Sequence, residues 1–313
     1  MQRYEHILAA ASAQPWAILP EKGRAIAAFL TEKVGKKAKK LKAADFAGPQ
    51  AAAKPKKKSQ QQRKGVAVIQ VLGTMTQRAD WMTDWSGGCS TEVLGSYLDE
   101  AMDDDSIEAI VFDIDSPGGS VYGVSELGDK IYNAGKMKKT IAVANSLAAS
   151  AAYWIACQCK EFIVSPSSQV GSIGVYQMHV DESVANELAG MKVTLVNAGE
   201  LKTAANQYAP LDDTGRSVMQ KGVDDYYAQF VKAVARGRGV AQSTVRESFG
   251  KGSTVRAEEA VKLGMADKVG TLEEVLARYG LAMSDLQSAS ASELSPEIEI
   301  RKRKLKMALT NQE

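Results

Sequence analysis

Ala109-Ile110-Val111-Phe112-Asp113-Ile114-Asp115-Ser116-Pro117-Gly118-Gly119-Ser120 is the stretch that decides how this chain folds. Its apolar run reads as a buried strand over Ala109 to Ile114, and Pro-Gly-Gly stops that strand in a turn. The same pattern repeats on either side. Val66 to Leu72 predicts a strand, Glu92 to Met102 a helix, Val121 to Asn133 a helix, and Thr140 to Ala144 a second buried strand. A small-residue turn and a helix to about Ala156 follow. Phe162–Val164, Ser172–Tyr176 and Val193–Val196 read as short strands, with a helix at Ser183–Leu188. Asp212 to about Arg236 reads as a long helix with one apolar face, and helices near Ala257–Leu263 and Leu272–Tyr279 close the domain. Strands and helices alternating at these lengths imply parallel βαβ crossovers, hence an α/β domain over residues 65–280.

The flanks differ in composition. The chain has 313 residues, 45% of them hydrophobic, and a net charge of +2, so the core is ample and the whole is no polyelectrolyte. Residues 1–34 read as a short helical segment broken at Pro15 and Pro20. Residues 35–64 read as a flexible basic linker. From Lys33 to Lys64 there are twelve Lys or Arg and one acid, Asp45, and a solvated linker is favoured over nucleic-acid contact. Residues 281–313 form a short charged tail. Within it Ser284–Ser295 is expected to be disordered, Ile298–Leu309 to form a short helix, and Arg301–Lys304 to be solvated. No run reaches the length of a membrane span, and the amino end lacks the pattern of a secretory signal. Cys89, Cys157 and Cys159 build no disulfide framework and suit a reducing compartment. Cys157 and Cys159 read as buried apolar residues on a helix, and Asp113 and Asp115 as turn-bonding carboxylates rather than metal ligands. Asp103–Asp105 reads as a solvated helix end. No metal or organic cofactor is implied.

Acyl-transfer chemistry has its parts here. Ser150 lies in Ser146-Leu147-Ala148-Ala149-Ser150-Ala151-Ala152-Tyr153, just before an apolar helix. A serine needs a base, and the two histidines, His6 and His179, offer few choices. His179 is one candidate. A neutral lysine is another: its reference pKa is about 10.4, and burial lowers it by several units. Lys202, in Asn197-Ala198-Gly199-Glu200-Leu201-Lys202, follows an apolar segment in a Gly/Ala-rich loop. Taken singly, each residue has a plain reading. Lys202 is then a solvated lysine, Ser150 a helix cap or packing residue, and Gly118–Gly119 a turn. Taken together, Gly118, Gly119 and the Ala151 N–H are candidate oxyanion donors.

The ordered set Asp115-Ser116-Pro117-Gly118-Gly119, Ala149-Ser150-Ala151-Ala152-Tyr153, Val170-Gly171-Ser172-Ile173-Gly174-Val175 and Gly199-Glu200-Leu201-Lys202 resembles the S49 peptidase family. That family contains signal peptide peptidase A and phage capsid-assembly proteases. The likeness runs from roughly Gly65 to Gly280, and Ala257–Asp267 resembles the family's closing element. It implies a ClpP/crotonase-like fold of repeated ββα units. It implies Ser150 as nucleophile, Lys202 as general base, Ser172 as the serine that positions the lysine, and an oxyanion hole at Gly118, Gly119 and Ala151. It further implies a homo-oligomeric ring or dome in which serine and lysine can come from adjacent subunits. The soluble amino-terminal segment favours the phage branch, acting on scaffold and capsid proteins in host cytoplasm or prohead. The alternatives are a cytoplasmic bacterial homologue, a crotonase-like acyl-CoA enzyme and a non-enzymatic capsid scaffold.

Overall fold

The computed structural model describes residues 14–23, 60–63, 65–78 and 87–284. His6, most of the basic run and the tail after residue 284, Arg301–Lys304 included, lie outside the described residues.

In chain order the elements are β1 (Trp16–Ile18), β2 (Gln60–Arg63), β3 (Val66–Leu72), β4 (Met75–Thr76), β5 (Cys89–Ser90), α1 (Thr91–Asp103), β6 (Ala109–Ser116), β7 (Gly118–Ser120), α2 (Val124–Ala134), β8 (Lys139–Ala149), α3 (Ala151–Ala156), β9 (Glu161–Val164), β10 (Gln169–Gly171), α4 (Ser183–Leu188), α5 (Asp213–Arg238), α6 (Gln242–Ser248), β11 (Thr254–Arg256), α7 (Ala257–Lys262), β12 (Lys268–Val269) and α8 (Leu272–Ala277). The main sheet runs β11-β10-β8-β6-β3-β2, with β9 also on β8 and β12 on β9. Its centre, β3-β6-β8, is parallel. A smaller sheet runs β1-β7-β4-β5. The architecture is thus mixed α/β with a mainly parallel sheet, as the alternation of elements predicts.

Side-chain alternation explains why the central strands read as unbroken apolar runs. Ile69, Val71, Ile110, Phe112, Ile114, Ala142 and Ala144 belong to the core that buries α1, α2, α3 and the second half of α5. Their strand neighbours Val66, Val68, Val111, Ile141 and Val143 belong to a second core under α8, with Leu272, Val275 and Leu276. A sheet covered on both faces needs apolar residues at every position. Helix ends follow their caps: Ser90 accepts from the Val93 N–H, Asp212 from the Gly215 N–H, and Thr271 with Glu274 forms a capping box.

Four segments differ from expectation. Trp16–Ile18 is a strand, not helix; prolines at both ends interrupt a helix, and β7 offers a ladder. Gln60–Arg63, placed in the linker by its composition, pairs antiparallel with β3 because the edge of β3 was open. The strand near Ser172 ends at Gly171, leaving Tyr176 as an isolated bridge to Trp16. Val193–Val196 forms no strand: it has no ladder partner, and Val196 is 95% exposed.

A charged clasp closes the C-terminal half. The Arg238 guanidinium, 8% exposed, donates to Asp267 Oδ1 at 2.6 Å, and Asp267 Oδ2 accepts the Phe162 N–H at 2.6 Å. Burial alone would raise the Asp267 carboxyl, but Arg238 and that amide outweigh it and hold it below the usual 3.8. A depressed folded pKa contributes stability above the unfolded value, and that contribution is lost as pH falls through the folded value. Thermal stability is therefore expected to drop below pH 3.8, and less steeply in Asp267→Asn. Melting curves across pH 3–7 check this; parallel acid slopes in the two proteins would contradict it.

Candidate active site

The site forms at the carboxyl ends of parallel strands, where open α/β sheets place their clefts. Three chain segments reach it from neighbouring strands: β6 runs into Pro117-Gly118-Gly119, β8 into Ser150, and β10 into Ser172.

A bulge aims β8. Ile114 pairs with Ala144, yet the next residue, Asp115, pairs with Leu147, so Asn145 and Ser146 are unmatched. Their side chains bond back to β6: Asn145 Nδ2 donates to Asp113 Oδ1 at 3.3 Å, and Ser146 Oγ to Asp115 Oδ1 at 2.5 Å. Burial pushes the Asp113 carboxyl up, with the Asn145 bond opposing. Past the bulge β8 changes partner, from β9 at Ile141–Ala144 to β10 at Leu147–Ala149. The strand thereby delivers Ser150 beside the end of β10.

Ser150 carries φ +57° and ψ −119°, a conformation that only glycine adopts freely. Holding it there costs about 1–3 kcal/mol, which the surroundings must offset. The Ser150 N–H donates to Gly171 O at 2.7 Å, and the Ser150 carbonyl accepts the Trp154 N–H at 2.9 Å, opening α3. The flanking Ala149, Ala151 and Ala152 are fully buried. Trp154 stacks on Phe230 at 4.6 Å, and the Tyr153 hydroxyl donates to Met265 O at 2.9 Å, which fixes α3. Ser150 occupies the N-cap position of α3, but its side chain makes no capping bond. Its hydroxyl is buried without a hydrogen-bond partner. A serine on a strained strand-to-helix turn is a feature shared with nucleophile elbows, and a buried hydroxyl left unpaired calls for an explanation.

The glycines are dictated by contact. A methyl group on Gly118, at φ +91°, would collide with Ala17 O and lie 2.9 Å from both Ala149 O and Ala151 N. One on Gly119 would overlap the Met75 backbone. Hence β7 lies flat against the Ser150 turn on one side and against β4 on the other. The Gly118 N–H donates to Ser116 Oγ at 3.2 Å, so of the three candidate oxyanion donors it is already engaged. Ser172, at φ +52° and buried, follows Gly171, the register partner of Ala149, and its N–H donates to Ser253 O at 2.9 Å.

Two candidates stay apart from this cluster. Lys202 is exposed in a turn whose N–H bonds Gly199 O at 3.0 Å, and it does not bond the Ser150 hydroxyl. His179 Nε2 lies 3.0 Å from Asn206 O and lines a separate cavity of about 420 Å³ with Met178, Asn206 and Val218. Burial pushes the Cys157 thiol up to about 12, so it stays a protonated packing group. Sequence reasoning missed β7 as a strand and Ser116 as its anchor; Gly-Gly hides strand pairing, because the signal for a strand is in its side chains.

Comparison with known proteins bears on the same region. Residues 133–284 match the model of peptidase family S49, and that span holds Ser150, Ser172 and Lys202. Over this span, just under half of its length, the chain is similar to peptidase family S49. The chain is 30% identical over 220 residues to the head-tail preconnector protein GP5 of Enterobacteria phage P21, covering 70% of this chain and 44% of that protein. It is 28% identical over 238 residues to the capsid assembly protease C of Escherichia phage lambda, covering 76% and 53%. It is 24% identical over 233 residues to Protease 4 of Haemophilus influenzae, covering 74% and 37%. This sequence thus spans about half the length, or less, of those three relatives.

Proposed function

We propose that this chain is a Ser/Lys endopeptidase of phage or prophage head maturation, cutting scaffold and capsid proteins within an assembling head. The observation that carries the peptidase reading is Ser150: buried, strained, unbonded, and flanked by the Ala151 and Gly119 N–H groups. A ClpP/crotonase-like arrangement of ββα units is the fold this reading expects. Lys202 takes the Ser150 proton as Oγ attacks a peptide carbonyl, and Gly119 and Ala151 N–H groups hold the oxyanion. Lys202 returns the proton to the leaving amine, and water then hydrolyses the ester. Ser172 positions the lysine amine.

In the folded protomer Lys202 stands in a segment rich in uncovered apolar side chains, with Leu188 at 85% exposed and Val196 at 95%. Such a surface calls for a cover. A neighbouring copy supplies one, and Lys202 then serves the neighbour's serine in a ring or dome. Likeness to Protease 4 favours a second reading, a bacterial signal-peptide-peptidase-like enzyme. No helix among the described residues is long and apolar enough to cross a membrane.

The test is mass spectrometry of wild type and Ser150→Ala incubated with phage scaffold and capsid proteins. Cleavage by wild type alone supports the proposal, and identical products from both proteins refute it. Gly119→Ala, which pushes β7 off Met75, is expected to lower turnover by about 10²–10³-fold, the worth of one oxyanion donor. Peptide assays beside circular dichroism check this, and full activity in a folded Gly119→Ala protein would exclude the donor role.

A further inference from the structure

Strand β1 lies across the cleft just described. Trp16 exchanges both backbone bonds with Tyr176: its N–H donates to Tyr176 O at 2.8 Å and its carbonyl accepts the Tyr176 N–H at 3.0 Å. Along its other edge β1 pairs antiparallel with β7, Ala17 opposite Gly119. The Leu19 N–H donates to Pro117 O at 3.0 Å and the Val121 N–H to Pro15 O at 3.5 Å. In an antiparallel ladder, bonded pairs recur every second residue. Leu19/Pro117 and Val121/Pro15 are such pairs, so Ala17/Gly119 between them is one as well. The Ala17 carbonyl therefore accepts the Gly119 N–H.

That carbonyl is at the Ser150 turn. A Gly118 methyl would collide with Ala17 O and lie 2.9 Å from Ala151 N, so the carbonyl bonded to Gly119 also lies near the Ala151 N–H. The Ala17 side chain is fully buried, so the position admits a small residue. An extended segment held by backbone bonds on both edges, with one carbonyl at the donor pair, is how a peptide adds to a sheet edge as a bound substrate.

We infer that residues 14–19 are a substrate strand built into the chain, and that Ser150 cuts the Ala17–Ile18 bond. The inference rests on the Ser/Lys reading above. Ser150 Oγ bonds to the Ala17 carbonyl carbon as its proton passes to Lys202. The Ala17–Ile18 C–N bond breaks, and the Ile18 nitrogen takes the proton. Water then releases residues up to Ala17 with a free carboxylate. Until the cut the strand occludes the cleft; afterwards the cleft is open to other polypeptides.

The experiment follows purified full-length wild type, Ser150→Ala and Ala17→Trp over time by intact mass, labelling new amino termini, with denatured casein added in parallel. A new terminus at Ile18 in wild type, absent in Ser150→Ala and about tenfold slower or more in Ala17→Trp, is the expected result. Casein cleavage with residues 14–19 intact would overturn the self-cleavage and leave the peptidase reading standing. A cut elsewhere in 14–19 would overturn the register. Loss of residues up to Ala17 from Ser150→Ala as well would overturn the role of Ser150. No cleavage of either polypeptide by wild type would overturn both proposals.

Discussion

Ser150→Ala is expected to lower peptide turnover by on the order of 10⁴-fold or more with the chain still folded. The loss follows from removing the attacking atom while leaving the oxyanion donors, which supply the residual rate. A companion variant separates strain from chemistry. Ser150→Gly also lacks the hydroxyl, but glycine adopts φ +57° and ψ −119° without penalty. Relief of that strain should stabilise Ser150→Gly over Ser150→Ala by about 1 kcal/mol, or roughly 2–4 °C in Tm. Peptide assays and thermal melts measure both effects. Turnover near wild type in either variant would count against Ser150 as the proposed nucleophile, and a Ser150→Gly protein that melts below Ser150→Ala would count against strain at the Ser150 turn.

Lys202→Ala should be equally inactive, and Lys202→Arg should not restore it. Both parts matter. If Lys202 only held charge on a solvated loop, arginine would replace it. A base must give up its proton, and a guanidinium does not do so in proteins. The loss should fall on kcat, because the proposed role of Lys202 is on the reacting hydroxyl rather than on distant parts of the substrate. Comparable kcat in wild type and Lys202→Arg would exclude proton transfer by this residue.

The sequence reveals the frame of this molecule more readily than its site. Val66–Leu72, Ala109–Ile114 and Thr140–Ala144 announce themselves because a doubly covered parallel sheet forces continuous apolar runs. The Ser150 turn was legible only as an ordered set of motifs: no propensity signals a serine at positive φ, and the bulge at Asn145–Ser146 that aims it is a property of strand register. The fate of Trp16–Ile18 was hidden for a related reason. Four residues between prolines carry no periodicity, and the extended form of Trp16–Ile18 comes from β7 and Tyr176, contributed by distant parts of the chain. Val193–Val196 errs the other way: β-branched composition suggested a strand, while a ladder partner was missing. Lys202 stands in that same uncovered region, 52 residues past Ser150 in sequence and unbonded to it in the protomer.

Co-expression of Ser150→Ala and Lys202→Ala chains with different tags, followed by purification through both tags, measures the central claim directly. If a strained serine in one copy is completed by a lysine from the next, two dead proteins make a live one, with roughly one site in four restored by random head-to-tail assembly. Mixed oligomers no more active than either parent would contradict the account.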